Sequence, residues 1–251
     1  MVRIAGVVFG ILSYVVFFVT FVYSIGFIMD IGVPRTLDTG PVTAIAPAVV
    51  IDLALLGLFA VQHSGMARPG FKRWLTAWFP ASIERSTYVL LASATLILVF
   101  WQWRPIDGTV WQVESSWAVW ALNSLCLFGF LFVLTATFVI NHFDLFGLRQ
   151  VWLNMRKQPY TALEFKERFH YRFVRHPLML GFIIAFWAAP HMTFGHLLFA
   201  AASTGYILLA LQLEERDLIT MHGDDYRRYK DRVPGLVPMR TRTNQATSAA
   251  G

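Results

Sequence analysis

The sequence predicts an all-α fold: a polytopic transmembrane helical bundle of about five to six membrane segments, ending in a helical hairpin and a cytoplasmic amphipathic helix. Three observations carry this. Apolar residues fill 56% of the 251 positions and charged residues only 14%, with mean hydropathy +0.53, far from a soluble average. The charges gather in short loops between apolar runs of roughly 20 residues, the length a helix needs to cross hydrocarbon. All but two of the 21 Lys and Arg, the exceptions being Arg35 and Arg104, fall in segments that alternating crossings put on one side. The positive-inside rule makes that side the cytoplasm and gives the chain a cytoplasmic N-terminus in a bacterial inner membrane. The net charge of +6 is thereby explained by orientation, since the basic residues form no stripe or arm for nucleic acid. Cys126 is the single cysteine and lies in an apolar run, so the chain offers neither an intrachain disulfide nor a thiolate metal cluster.

Ile4 to Met29 is uncharged and reads as a retained first helix, with Gly6 and Gly10 as a small-xxx-small pair for close packing. Ala44 to Val61 is a second span interrupted by Asp52, an acid that must face the bundle or a wet cavity. Gln62-His63-Ser64 follows at the boundary. Ala67 to Phe79, basic and aromatic, suits the headgroup layer. Ser86 to Trp103 and Ser116 to Ile140 are the third and fourth spans, and Trp101, Trp103, Trp111, Trp117 and Trp120 around their connection read as an interfacial belt. Residues 1–140 thus form a four-span bundle, and residues 141–238 a cytoplasmic loop, membrane hairpin and C-terminal region. Residues 239–251 read as a disordered tail. In the loop, Thr161-Ala162-Leu163-Glu164 resembles a helix N-cap with an acidic first turn.

Leu178 to Leu213 contains no Lys, Arg, Asp or Glu, and basic residues up to Arg175 and acids from Glu214 bracket it. Leu178 to Pro190 is too short to span alone, so it reads as one tilted half of a hairpin turning at Pro190-His191-Met192-Thr193-Phe194. Both brackets then return to the same face. Arg175-His176-Pro177 begins the first half, where unpaired N–H groups and a cation make an anion site, or simply a snorkelling boundary cation and a helix entry. Glu214 and Glu215 at the other end can bind hydroxyls or an ammonium, or merely be solvated. The last helix continues to His222, with Gly223 as its stop and Asp224 as the cap of a final helix ahead of Val233-Pro234 and Val237-Pro238. No soluble catalytic signature is present, and no histidine pair has close metal spacing; no metal is assigned.

These residues resemble a known superfamily. Arg175-His176-Pro177-Leu178-Met179-Leu180-Gly181, then Glu214-Glu215-Arg216-Asp217-Leu218, Gly223-Asp224-Asp225-Tyr226-Arg227-Arg228-Tyr229 and Val233-Pro234, look like the C-terminal catalytic region of isoprenylcysteine carboxyl methyltransferases and phospholipid methyltransferases. Gln62-His63-Ser64-Gly65-Met66-Ala67-Arg68-Pro69, Ile83-Glu84-Arg85-Ser86-Thr87-Tyr88 and Trp101-Gln102-Trp103 are similar to its NnrU-like branch, and within it to the membrane methanethiol S-methyltransferases. The resemblance implies S-adenosylmethionine at the cytoplasmic boundary, held by Tyr171, Arg172, Arg175, His176, Pro177, Gly181, Glu214 and Glu215. It implies a small thiol, methanethiol going to dimethyl sulfide, as acceptor. Met179 stands where the superfamily often has Tyr, and His222 where Phe is common, which argues against a prenylcysteine acceptor. A thiol must lose its proton to react well, so His63, Tyr88 and Asp52 are the candidate catalytic residues, drawn together if the second and third spans bring them to the cytoplasmic half. A lipid or prenylcysteine acceptor, and a non-enzymatic membrane carrier, remain as other readings; the lipid bilayer is a partner in all, and the oligomeric state is left open.

Overall fold

The protein is a polytopic helical membrane protein, and a computed structural model describes its residues 2–161 and 169–237. In chain order the helices are α1 (Val2–Met29), α2 (Ile45–Ala67), α3 (Pro69–Trp78), α4 (Glu84–Gln102), α5 (Ser116–Ile140), α6 (His142–Leu145), α7 (Leu148–Met155), α8 (Pro177–Trp187), α9 (Phe194–His222) and α10 (Asp224–Arg232). Two short strands, β1 (Thr109–Gln112) and β2 (His191–Thr193), pair antiparallel. Five helices, α1, α2, α4, α5 and α9, are long and apolar enough to cross a membrane. Most of their large side chains face outward, as lipid contact requires. An aromatic core of Phe27, Phe100, Trp103, Phe130, Phe186 and Phe199 joins α1, α4, α5, α8 and α9.

Two faces result. The start of α1, the α2–α4 connection, the α5–α8 connection and α10 lie on one, here called the basic face. The α1–α2 loop, β1 and β2 lie on the far face. The 11 residues of α8 rise only about 16 Å, little more than half the hydrocarbon core. The remaining depth is covered by Ala188 to Pro190 and by β2, whose pairing with β1 hooks the turn to the far face. What lets so short a helix sit stably is α5. A Cβ on Gly129 would lie 2.6 Å from the Gly181 carbonyl oxygen, and one on Gly181 would lie 2.8 Å from that of Gly129, so the two backbones touch. The Cys126 thiol donates to the Ala185 carbonyl at 3.3 Å along the same seam. Gly10 does similar work on α1, with Val151 2.7 Å from where its Cβ would be.

The five-tryptophan belt is corrected to three. Trp101, Trp117 and Trp120 are exposed, but Trp103 is buried with its indole N–H donating to the Leu37 carbonyl, and Trp111 donates to Ala189. Burial in the far-face closure wins over the interfacial preference of indole at Trp103, while Trp111 is half-buried with its N–H tied to the turn after α8. The second span also runs one and a half turns beyond Val61, to Ala67, which draws His63 and Ser64 onto α2. The N-cap expected near Glu164, Pro238 and the tail at 239–251 lie outside the described residues.

Candidate active site

On the basic face the two brackets of the uncharged hairpin pair directly. Arg175 donates to Glu215 Oε1 from Nε at 3.0 Å and from Nη2 at 2.6 Å. Its Nη1 donates to the carbonyls of Lys230, at 2.9 Å, and Val233. The other oxygen of Glu215 receives Lys230 Nζ at 2.7 Å, and His176 Nε2 is 3.2 Å from Oε1. One carboxylate therefore ties α8, α9 and α10 together, with the side chains of Arg175 and Glu215 only 10% and 15% exposed. Such a pair is held by its geometry, because removal from water costs both ions several kcal/mol each, of order 5, unless their hydrogen bonds are met.

The α10 end makes this possible. Gly223, at φ 56°, stops α9 and lets α10 fold back, burying Tyr226 and Tyr229 against Leu218 and Ile219. The Tyr229 hydroxyl donates to the Tyr171 carbonyl at 2.6 Å. The chain after α10 then crosses the start of α8, where the N–H groups of Arg175 and His176 donate to Pro234 and Gly235 at 2.9 and 3.1 Å. The anion cradle read from the sequence is thus filled by the chain's own carbonyls, and Arg175 acts as a clamp. Pro177 is buried as the first residue of α8, as expected, whereas Gly181 serves the α5 seam. Glu214 stays half exposed, with the His176 ring Nδ1 3.7 Å away. Burial lowers the His176 pKa, Glu215 opposes that shift and Arg175 and Lys230 add to it. Burial, with Glu214 and Tyr229 nearby, pushes the Tyr171 hydroxyl up. Arg172 lies in the same short turn, Phe169–Arg172.

The second cluster lies where α2, α4 and α9 meet. The Tyr88 hydroxyl is 3.0 and 2.9 Å from Nδ1 and Nε2 of His63, and Phe59 stacks on the His63 ring at 5.1 Å. The Arg85 guanidinium covers the Tyr88 ring at 4.9 Å and is fixed by its Nε donating to Leu145 at 2.7 Å. Beside His63, the Ser64 hydroxyl meets that of Tyr206 at 2.9 Å. The Ser64–Tyr206 bridge ties this cluster to α9, the helix that carries Glu214 two turns further on.

Asp52 is not with them. It is fully buried about 16 Å lower on α2 than His63, on the far-face half, where Oδ1 accepts from the Arg104 N–H at 2.9 Å. The expectation that it reaches the cytoplasmic half is corrected: three helical turns separate it from the histidine. Lys230, Arg85, Phe59, Ser64 and Tyr206 are the participants that sequence reasoning did not place. Of these Tyr206 is the single tyrosine in the uncharged run, two turns from Glu214, a position that composition alone could not assign to a neighbour rather than to lipid. Among the described residues no three His, Cys, Asp or Glu side chains gather as a metal would need.

A helical membrane bundle that collects a clamped Arg–Glu–Lys group and a His–Tyr pair at one membrane boundary defines an integral membrane protein with a site at the water interface. The chain belongs to the NnrU family: the family profile described as NnrU protein matches residues 52–233. It is 56% identical to a methanethiol S-methyltransferase of Mycobacterium tuberculosis, over 94% of this chain and 97% of that protein. It is 54% identical to methanethiol S-methyltransferase 1 of Bradyrhizobium diazoefficiens, over 92% of this chain and 81% of that one. Nurim of Mus musculus is 29% identical over 70% of each. No solved structure matches the chain significantly.

Proposed function

We propose that this protein transfers a methyl group from S-adenosylmethionine to methanethiol, giving dimethyl sulfide, at the cytoplasmic face of a bacterial inner membrane. The observation that carries the reading is the presence on one face of the Glu214–His176 pair and the His63–Tyr88 pair, linked through α9 by the Ser64–Tyr206 bridge, in a chain whose near-full-length relatives bear the thiol methyltransferase name. Those names favour it over the lipid, prenylcysteine and carrier readings. The basic face is taken as cytoplasmic on the positive-inside rule. Residues 141–238 serve the donor and residues 1–140 most of the acceptor side.

The residues fit the donor's chemistry in a specific way. Glu214, half exposed and poorly paired, suits an ammonium or ribose hydroxyls, and the aromatic Tyr171 lines the same region. Arg175, His176 and Pro177 hold the framework, with Arg172 and Gly181 supporting it from the neighbouring turn and the α5 seam. When bound, the donor supplies an electrophilic methyl on a sulfonium, which the acceptor sulfur takes as the donor's carbon–sulfur bond breaks to leave a neutral thioether.

The protein's own share is to make and orient that sulfur nucleophile and to keep water out. His63 accepts the thiol proton and passes it to water at the boundary. Tyr88 fixes the imidazole, and the Arg85 cation over its ring favours negative charge nearby. Methanethiol, being small and apolar, arrives through lipid. The test is incubation of purified protein with methyl-labelled S-adenosylmethionine and methanethiol. Labelled dimethyl sulfide in the headspace is expected; folded protein that transfers no label sinks the reading.

A further inference from the structure

Helices α2 and α9 are joined by two polar bridges, and their spacing is uneven. On α2 the bridges leave from Ser64 and Arg68, one turn or about 6 Å apart; on α9 they land on Tyr206 and Asp217, about 16 Å apart. The extended Arg68 side chain takes up part of the mismatch. The Asp217 side chain takes up the rest, so the Ser64–Tyr206 and Arg68–Asp217 bridges bound a stretch of the α2–α9 face toward the basic side. Gly65 and Gly205, next to the two bridging hydroxyls, both look onto open space: a Cβ there would meet nothing within 4 Å. Below the bridge the two helices stay in contact. Phe59, one turn deeper than His63, packs edge-on against the Tyr206 ring at 6.3 Å and 76°.

We propose that Tyr206, held in place by Ser64 and backed by Phe59, is the floor of the acceptor pocket and sets the length of thiol the enzyme accepts. The proposal rests on the thiol methyltransferase reading. It follows from depth. Glu214, on the donor side, stands two turns above Tyr206 on the same helix, about 12 Å. His63 and Tyr88 open onto that interval from α2 and α4. The interval must hold the reactive end of the donor and the whole acceptor in line, with reacting atoms about 3–3.5 Å apart. What remains is room for a sulfur and a very short alkyl group. Each further methylene drives the chain against the Tyr206 ring, which cannot swing aside while its hydroxyl is bridged and Phe59 is behind it. The same floor shuts out a prenyl or acyl tail lying along the sulfur axis.

The experiment measures kcat/KM for methanethiol, ethanethiol and propanethiol with labelled S-adenosylmethionine, for the unaltered protein and for Tyr206→Ala, Tyr206→Leu and Tyr206→Phe. The unaltered protein is expected to favour methanethiol steeply, since one methylene against a closed wall is worth about 10–200-fold. Tyr206→Ala should raise the propanethiol-to-methanethiol ratio by about tenfold or more on that scale, Tyr206→Leu by less, and Tyr206→Phe, which keeps the ring, by least. Tyr206→Leu carries the test if the alanine variant does not fold. Active variants with an unchanged chain-length profile overturn the proposal. If the unaltered protein methylates no thiol, the underlying reading fails and this one with it; if it methylates methanethiol and the variants do not relax, only the floor is lost.

Discussion

The two faces of the bundle both bury polar groups, but they satisfy them differently. On the far face three acids meet neutral partners: Asp52 takes the Arg104 N–H, Asp38 the Thr193 hydroxyl at 2.6 Å, and Asp30 the Thr36 hydroxyl. Backbone bonds from Leu37 to Phe27 and from Gly195 to Ile106, with the β1–β2 pair, close the loops over them. On the basic face, where the ion pairs among the described residues all lie, acid meets cation. Neutral hydrogen bonds in a low-dielectric seal fix a shape and leave nothing to exchange. A charged network at the water boundary holds its framework just as firmly, yet leaves a carboxylate such as Glu214 half exposed. The far face is a closure, and the basic face carries the proposed site.

The largest effect expected on this division comes from Arg175→Ala. It strips the carboxylate of Glu215 of its main partner while leaving it only 15% exposed, and breaking a buried pair in this way costs about 3–5 kcal/mol. Loss of methyl transfer together with a lowered unfolding temperature in detergent is the expected result. Arg175→Lys keeps the charge but not the fork and should fall between. His63→Ala comes next, with transfer slowed by about 10²–10⁴-fold for loss of a positioned base and with little change in unfolding temperature. Transfer at the unaltered rate across pH would remove His63 from the chemistry.

Acid should separate the faces more gently. Burial holds His176 below its ordinary pKa, so the unfolded chain takes up that proton first, and folding stability is lost as pH falls from about 6.5 downward. The imidazole would be charged near Arg175 and Lys230, with Glu215 and the half-exposed Glu214 compensating only in part. Unfolding temperature measured against pH should drop in that window, and His176→Gln should flatten the curve. An unchanged slope in the variant would assign the acid sensitivity elsewhere.

Legibility followed length scale. Spans α1, α2, α4 and α5 could be read from long apolar runs because a bilayer fixes the length required, and the hairpin from the silence between Arg175 and Glu214. The pairing of Arg175 with Glu215 was implied only as nearness of two clusters; its directness depends on Gly223 turning α10 back so that Lys230 and the Val233 carbonyl arrive, a tertiary fact. The filled start of α8 was hidden for the same reason. Tyr206 escaped notice because a lone tyrosine in an apolar helix looks the same whether it faces lipid or a neighbour. Asp52 was misplaced because a charge in a span announces that it is buried but not at which depth.

That residue gives the smallest expected effect and the sharpest check on the division. Asn at position 52 is nearly isosteric, keeps an oxygen to accept the Arg104 N–H, and removes a charge whose second oxygen has no hydrogen-bond partner among the described residues. Burying a neutral amide costs less than burying a carboxylate, so Asp52→Asn should leave stability unchanged or raised, within about 1 kcal/mol. Asp52→Ala, which abandons the Arg104 N–H, should cost about 1–3 kcal/mol. With three turns of α2 between it and His63, neither should shift the pH profile of methyl transfer beyond what altered stability explains. A hundredfold slower transfer by a stable Asp52→Asn protein would mean that proton movement reaches the far face, and that the seal and the site are one network.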